Sequence, residues 1–403
     1  MTSDTRDLPE VRVGFIPLVD AAPLIVAVAK GFDRAEGVAI RLSREASWAN
    51  IRDRLAFGAL DAAHMLAPMA LASALKIGPA TEPVLVPMAL NLGGSAITVS
   101  RELFAQMQAC DAAAATAGGA AAARALAPVI AARRAAGEAP LMLGMVFPFS
   151  SHNYDLRLWL ASAGIDPDED VNLVVIPPPL IAESLATGRV DGFCVGSPWS
   201  SVAVENTGAR IVAIKAELWA DGPEKVLGVG VRWAERNPET LARLVRALDV
   251  AARWLDQPAN RAEAAALLAA SAAVGVRAAL IERALSGRMV RSAGAEPTSD
   301  DDFVLFHRRR ASVPRVSHAL WLLAQMIRWG LVREPFALSE IATRVYRPDL
   351  YRAALGAAAA EAGDGDLGRA PDGFDPSRPL AALAAARIRS QAIDLDGLAA
   401  LNS

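Results

Sequence analysis

The chain has 403 residues, of which 53% are hydrophobic and 21% charged, and its formal net charge is −3. This composition excludes a disordered chain and supplies enough apolar side chains for a large core. A protein that mainly grips phosphate backbones is usually basic, so direct nucleic-acid binding is not expected. Two cysteines, Cys110 and Cys194, exclude a disulfide framework, and we expect both to be small buried residues.

The first hundred residues alternate strand-like and helix-like segments, which is typical of a doubly wound α/β layer. Gly93-Gly94 lies between two apolar segments and marks a point where the chain can turn or cross between lobes. The predicted strands are 11–19, 38–43, 62–66, 84–90 and 97–100, and the predicted helices are 23–30 and 47–57.

The same alternation continues after an alanine-rich, helix-forming stretch at 101–137. Ser150 and Ser151 are preferred N-cap residues for a helix that ends at Gly164. The remaining predicted strands are 141–147, 171–176, 190–195 and 211–214, and the remaining predicted helices are 180–187, 238–256, 260–287 and 314–330. Residues 361–378 are rich in Gly, Asp and Pro and are interpreted as a linker or surface tail.

This order of segments predicts two α/β lobes. Residues 11–97 would form the first part of lobe I, 98–212 lobe II, 213–345 the second part of lobe I with C-terminal helices, and 346–403 a tail. The cleft between two such lobes is the expected ligand site, and closure around the ligand is the expected motion.

Several motifs occur together in one order along the chain. They are Val13-Gly-Phe-Ile-Pro-Leu, Ser43-Arg-Glu-Ala-Ser-Trp-Ala-Asn, Asp61-Ala-Ala-His-Met-Leu-Ala-Pro, Ala96-Ile-Thr-Val-Ser, Ser151-His-Asn-Tyr-Asp-Leu-Arg, Val190-Asp-Gly-Phe-Cys-Val-Gly-Ser-Pro-Trp and Pro223-Glu-Lys-Val-Leu-Gly. This set, spread over most of 11–350, resembles the nitrate- and bicarbonate-binding proteins of ABC transporters. The resemblance implies a type II periplasmic-binding-protein fold.

The resemblance also implies an anion site. Its contacts fall at Trp48, His152, Gly196 and Lys225 of this chain. A further polar contact, usually an amide side chain, falls at Ser95, which departs from the family pattern, as does Ser197, where the family often has Glu. In the bicarbonate-binding relatives an acidic residue and a metal ion take the place of the lysine, so Lys225 indicates nitrate or nitrite bound without a metal or other cofactor.

The residue types agree with this interpretation. Nitrate accepts hydrogen bonds but donates none, so a good pocket would supply donors only: one cation, backbone N–H groups and neutral N–H side chains. Lys225 would be the cation, Trp48 an indole donor, and His152 a neutral imidazole at a helix N-terminus. The alternatives are a solvated lysine, a tryptophan packed against Leu42 or the following helix, and a helix-capping or core histidine.

Other candidate residues are interpreted as structural. His64 lies in an apolar strand and is expected to be a satisfied core histidine. His307 and His318 have no carboxylate or cysteine at metal-ligand spacing, and Arg308-Arg309-Arg310 is a short solvated run. Paired carboxylates, a nucleophile with a base and a phosphate-binding loop are all missing from the sequence pattern, which argues against an enzyme.

The N-terminal residues show no basic segment followed by an apolar one, and no convincing membrane span occurs, so we expect a cytoplasmic protein without membrane association. Within the resembling group, cytoplasmic nitrate/nitrite sensors of the NasS type hold an RNA-binding antiterminator (NasT-like) inactive until the anion arrives. We expect this sensor function, with a periplasmic nitrate-binding subunit of an ABC transporter as the alternative.

Overall fold

The structure is a computed structural model that describes residues 8–78, 82–219, 221–332 and 337–356. The predicted linker at 361–378 and nearly all of the 346–403 tail lie outside the described residues. Every helix in the described ranges is too short or too polar to cross a membrane.

Thirteen strands are present in the described residues, most of them in two sheets. Their bounds are β1 Glu10–Phe15, β2 Ala39–Arg44, β3 Ala62–Leu66, β4 Val84–Gly93, β5 Ser95–Val99, β6 Leu141–Met145, β7 Val171–Val175, β8 Gly192–Gly196, β9 Arg210–Ile214, β10 Pro223–Gly230, β11 Arg288–Met289, β12 Thr298–Ser299 and β13 Val304–Leu305.

Seventeen α-helices of the described residues cover and connect these sheets. Their bounds are α1 Ala22–Ala29, α2 Phe32–Ala35, α3 Trp48–Ala56, α4 Ala67–Ala74, α5 Arg101–Ala117, α6 Gly119–Ala135, α7 Ser151–Ala161, α8 Pro178–Ala186, α9 Trp199–Thr207, α10 Lys215–Leu218, α11 Val231–Arg236, α12 Pro238–Leu255, α13 Arg261–Ala269, α14 Ala278–Ser286, α15 Val316–Arg328, α16 Leu338–Val345 and α17 Pro348–Leu355.

The first sheet has the strand order β13-β4-β10-β3-β1-β2, and the second has the order β7-β6-β8-β5-β9. In each sheet a parallel core (β2, β1 and β3, or β7, β6 and β8) meets antiparallel strands. All five residues of β3 are buried, as expected for a strand with helices on both faces of its sheet. The two-lobed α/β fold predicted from the sequence is therefore confirmed.

The chain crosses from one sheet to the other at two neighbouring places. β4 ends at Gly93 and β5 begins at Ser95, while β9 of the second sheet is followed by α10 and then by β10 of the first. Gly93 has a φ of 70°, and a Cβ there would lie 2.4 Å from the carbonyl oxygen of Phe303. Only glycine fits this crossing, because a side chain would collide with the neighbouring backbone.

The C-terminal helices attach to both lobes. α12 buries a continuous stripe, which includes Leu241, Leu244 and Leu248, and packs on α1. α15 packs on α4 and α16, and Arg157 of α7 lies 5.4 Å from the ring centroid of Trp329, just after α15. Through these contacts the C-terminal helices pack against elements of both lobes.

Two expectations about local structure are wrong. The predicted helix 260–287 is two helices, α13 and α14, because residues 270–277 interrupt it. Cys110 is exposed, whereas Cys194 is buried as expected. Cys110 directly precedes the non-helical backbone at Asp111, within the exposed segment 108–113 of α5. In addition, no prediction was made for β10 and α4.

Candidate functional site

The predicted site residues lie where strand ends and helix beginnings from both sheets meet. Trp48 is the first residue of α3, and His152 is in the first turn of α7. Each helix is capped by the serine before it: Ser47 Oγ accepts from the backbone N–H of Asn50 (3.2 Å), and Ser150 Oγ accepts from that of Asn153 (3.1 Å). These caps fix both helix N-termini at the cleft and remove the cap role from His152.

Ser95 and Gly196 are paired residues of the neighbouring strands β5 and β8. A Cβ at Gly196 would lie 3.1 Å from Asp20 Oδ2 and 3.6 Å from His152 Nε2. Glycine at this position therefore allows the two lobes to approach each other closely. Ser95 donates from Oγ to Asp155 Oδ2 at 3.4 Å.

Lys225 is fully buried, which excludes the solvated alternative. Its Nζ lies 2.9 Å from Asp20 Oδ2, 2.6 Å from Glu224 Oε1, and 5.7 Å from the ring centroid of Trp48. Irregularities in the β10–β4 pairing flank Lys225. Such bulges re-aim side chains, which explains how the adjacent residues Glu224 and Lys225 reach one another.

His152 faces the same carboxylate oxygen as Lys225. Its Nε2 lies 3.2 Å from Glu224 Oε1, but neither Nε2 nor Nδ1 has a hydrogen-bond partner of good geometry among the described residues. Burial, reinforced by the positive charges of Lys225 and Lys215, lowers the pKa of His152 to about 3. The imidazole is therefore neutral near pH 7 and presents one N–H donor, as predicted.

The indole of Trp48 is 1% exposed, and its Nε1 has no partner within the described part of the chain. Its ring lies 5.2 Å from that of His64, measured between centroids. An indole N–H that is buried without an acceptor loses a hydrogen bond to water. Trp48 is thus a donor available to a ligand that enters the cleft.

The structure adds four charged residues that sequence reasoning missed. Glu224 Oε2 lies 2.7 Å from Lys215 Nζ, which lies 2.9 Å from Asp155 Oδ2. At the other end, Asp20 Oδ1 lies 2.9 Å from Nε2 of His64. We name this set the Lys215–Lys225 network; it consists of Asp20, His64, Asp155, Lys215, Glu224 and Lys225. His64 is buried as expected, and its Nε2 faces the carboxylate that holds Lys225, although this contact lacks good hydrogen-bond geometry.

One prediction about this site is wrong. A pocket of donors only was expected, yet three carboxylates lie in it, each paired with a lysine. They come from three distant parts of the chain, so no local spacing reveals them. Two buried ammonium groups need such partners, because an unpaired buried charge is strongly destabilising.

The network keeps both lysines charged. Burial lowers the pKa of Lys225, but Asp20 and Glu224 raise it further, so that its pKa lies above the ordinary lysine value. Burial raises the pKa of Glu224, but His152, Lys215 and Lys225 lower it well below its ordinary value. Burial raises the pKa of Asp155 to about 6, against the opposing charge of Lys215. Asp155 is thus the carboxylate of the network that most readily takes up a proton.

The lobes are in contact beside this network. The backbone N–H of Val19 donates to the carbonyl oxygen of Ser197 (2.8 Å), and Trp199 Nε1 donates to that of Pro17 (3.1 Å). Both hydrogen bonds connect the lobe of the first sheet with the lobe of the second sheet, next to Asp20 and Gly196. The described residues contain no group of three or more His, Cys, Asp or Glu side chains arranged to hold a metal ion.

A two-lobed α/β fold with buried charged groups at the junction is the architecture of periplasmic binding proteins. A sequence model of the NMT1-like family matches residues 4–269, and the chain belongs to this family.

The relatives include proteins named for nitrate. The nitrate/nitrite binding protein NrtA of Synechococcus elongatus is 33% identical, over 86% of this chain and 78% of the relative. The nitrate import ATP-binding protein NrtC of a Synechocystis strain is 37% identical over 84% of this chain. The chain spans only 49% of that longer protein.

Solved structures agree with the fold. The periplasmic nitrate-binding protein NrtA from Synechocystis PCC 6803 superposes with a TM-score of 0.80 at 29% identity, covering 87% of this chain and 89% of that one. The aliphatic sulphonate binding protein SsuA from Escherichia coli gives a TM-score of 0.56 at 15% identity, covering 86% and 99%, and supports the fold alone. Both NrtA relatives are named as binding proteins rather than as enzymes.

Proposed function

We propose that this protein binds nitrate or nitrite in the cleft between its lobes, without chemistry and without a metal. The observation that carries the proposal is the convergence of Lys225 Nζ and His152 Nε2 on one point, the position of Glu224 Oε1 (2.6 and 3.2 Å). An oxygen of a planar anion in that position would accept from the same two donors. The unpartnered indole N–H of Trp48 supplies a third.

The relatives support the choice of anion. The proteins named for nitrate or nitrite align along most of this chain, and one of them has a closely similar fold. The ligand must compete with Asp20 and Glu224 for Lys225, so Glu224 has to give up its contact when the anion enters. Lys215 can retain Glu224 through the other oxygen, which keeps this exchange local.

The size of the ligand limits the affinity. Nitrate has four heavy atoms, and at the ceiling of about 1.5 kcal/mol per atom its binding free energy is roughly −6 kcal/mol. This corresponds to a Kd on the order of tens of micromolar, and a buried ionic contact could lower it to the low micromolar range.

Titration calorimetry tests the proposal directly. The full chain would be dialysed to remove bound anion and titrated with nitrate, nitrite and bicarbonate, with and without a chelator. We expect heat from nitrate or nitrite that the chelator leaves unchanged. Binding of bicarbonate alone, or of none of the three anions, would overturn the assignment.

We further propose that the protein is a cytoplasmic sensor that releases an RNA-binding antiterminator (NasT-like) when the anion binds. The resemblance to sensors of this type supports the proposal, and closure of the cleft supplies a mechanism. If the partner prefers a conformation other than the closed one, each ligand lowers the affinity for the other by the same factor. Affinity capture from the native host with the tagged chain, repeated with nitrate at about 100 times the Kd found by calorimetry, tests it. Capture of such a partner that nitrate does not diminish would contradict the linkage.

Nitrate import is the second candidate function. It is favoured by the names of the relatives, which include an import protein and a periplasmic nitrate-binding protein. Cell fractionation with an antibody to the native chain separates the two proposals. A periplasmic or membrane-associated protein supports import, and a cytoplasmic one supports the sensor.

A further inference from the structure

A second buried group of side chains of the same three kinds lies beside the proposed anion site and is linked to it through Glu224. We name Trp48, His152 and Lys225 the Lys225 set, and Trp219, His318 and Lys215 the Lys215 set. Each set combines an indole, an imidazole and an ammonium group. All members of the Lys215 set are at most 2% exposed.

The members of the Lys215 set lie close together. The rings of Trp219 and His318 meet edge to face, with 6.1 Å between centroids. The aliphatic chain of Lys215 and the ring of Trp219 both lie against Gly222, where a Cβ would come within 2.6 Å of Lys215 Cε and 3.1 Å of Trp219 Cε3. Trp321 stacks on the far side of Trp219 at 3.9 Å between centroids and holds the indole in place.

Two of these buried donors have nothing to bind in the described residues. Trp219 Nε1 and His318 Nε2 are both without a hydrogen-bond partner there. Burial, reinforced by the positive charges of Arg315 and Lys215, lowers the pKa of His318 to about 3, so its ring is neutral. Native proteins pair nearly all such groups, and an orphaned one calls for an explanation such as a ligand.

Resting on the proposed function, we infer that the Lys215 set is a second subsite for a small planar monoanion such as nitrate. Indole and ammonium groups only donate, and a neutral imidazole donates through one of its two nitrogens, which suits a ligand that only accepts. Glu224 connects the two subsites, because its Oε1 contacts Lys225 and its Oε2 contacts Lys215.

The connection through Glu224 also sets the order of filling. An anion at the Lys225 set displaces one oxygen of Glu224 and leaves the other on Lys215. A second anion would have to displace that remaining contact and would also be repelled by the first. We therefore expect the Lys215 set to bind more weakly than the Lys225 set.

The two tryptophans provide a matched pair of variants. Trp48→Phe and Trp219→Phe each remove one N–H and keep an aromatic ring. Calorimetry of the full chain with nitrate is expected to give a stoichiometry of two, with a tighter and a weaker phase. Trp219→Phe should weaken the weaker phase about tenfold and leave the tighter phase unchanged, and Trp48→Phe should do the reverse, since each loses a hydrogen bond to a charged group.

Folding of the variants is checked by circular dichroism and thermal unfolding, and His318→Gln serves as a second variant if Trp219→Phe is unstable. Weakening or loss of the weaker binding phase in Trp219→Phe or in His318→Gln supports the second subsite. A stoichiometry of one nitrate per chain overturns the second subsite, whichever variant weakens binding. It leaves the proposed function unaffected. No heat from nitrate or nitrite at all would overturn both.

Discussion

At the scale of single residues, Glu224 is the centre of the site. It touches Lys225, Lys215 and His152 while remaining fully buried. A buried ion pair contributes little net stability when complete, but removal of one partner leaves an uncompensated charge. Substitutions here are therefore expected to affect both anion binding and folding, and both must be measured.

Lys225→Ala is expected to abolish nitrate binding at the Lys225 set, the tighter phase, because the neutral donors that remain there do not offset desolvation of the anion. It also leaves Asp20 and Glu224 without their shared cation, which should lower the free energy of unfolding by about 3–5 kcal/mol. Calorimetry and urea unfolding measure the two effects. Lys30→Ala, a partly exposed lysine paired with Glu263, is the matched control and should change neither. Unchanged nitrate affinity in Lys225→Ala would refute the site.

His152→Ala should weaken nitrate binding by about 1–3 kcal/mol, as expected for a lost hydrogen bond to a charged group. The helix α7 should persist, because Ser150 and not His152 caps it. Calorimetry measures the affinity, and circular dichroism the helix content. His307→Ala, which removes an imidazole elsewhere on the chain, serves as control. Equal affinities in the His152 variant and the wild type would assign His152 a purely structural role.

The sequence identified part of this site and missed the rest for a physical reason. Trp48, His152 and Lys225 were assigned as anion contacts from recognisable motifs. Asp155 and Glu224 stand in two of the same motifs and Asp20 in none of them, but the pairing of these carboxylates with the lysines depends on the tertiary fold. One signal was available for Lys215: the chain has only four lysines, Lys30, Lys76, Lys215 and Lys225. Two of these four are buried in the network.

At the scale of elements, the site depends on how closely β8 approaches the turn after β1. Predicted strand and helix positions agreed well where the hydrophobic pattern was continuous, as in β3, whose bounds match at both ends. β10 was missed because it carries Glu224 and Lys225 in its buried interior. Charged residues in a buried central strand contradict the usual apolar pattern of such strands. They are tolerated here only because they form ion pairs.

Gly196→Ala tests the close approach of the lobes. The added methyl would lie 3.1 Å from Asp20 Oδ2 and 3.6 Å from His152 Nε2, so the closed cleft would have to widen by a few tenths of an ångström. We expect nitrate affinity to fall about tenfold, while the thermal midpoint changes little because the strand itself can accept alanine. Gly230→Ala, where φ is −60° and the nearest atom to an added Cβ is 3.9 Å away, controls for loss of a glycine. Unchanged nitrate affinity in Gly196→Ala would show that the closed cleft has room for the added methyl group.

At the scale of the whole molecule, the buried histidines make stability depend on pH. The pKa values of His152 and His318 are lowered from 6.5 to about 3, mainly by burial. Burial also lowers the pKa of His64. The unfolded chain therefore binds more protons than the folded one below pH 6.5, and stability falls as the pH falls. Asp155, whose pKa is raised to about 6, takes up a proton in the folded state and offsets about one of the three histidines.

Between pH 6 and pH 5, His152 and His318 set against Asp155 lower the free energy of unfolding by about 1.4 kcal/mol, the equivalent of one proton per pH unit, and His64 adds to this fall. His318→Gln removes one of the three histidines and should reduce the slope by about 1.4 kcal/mol per pH unit. Urea unfolding at several pH values measures both slopes. A wild-type stability that is constant or rises towards pH 5 would contradict the assignment of neutral buried histidines.

The hydrogen bond from the Val19 amide to Ser197 crosses between the lobes within one residue of Asp20 on one side and of Gly196 on the other. This amide can be protected from solvent only while the lobes stay together, since its acceptor belongs to the opposite side of the cleft. Its rate of deuterium uptake therefore reports opening of the cleft, and no probe has to be attached to the protein. Slower exchange at Val19 in the presence of nitrate would report how far the anion lengthens the lifetime of the closed state.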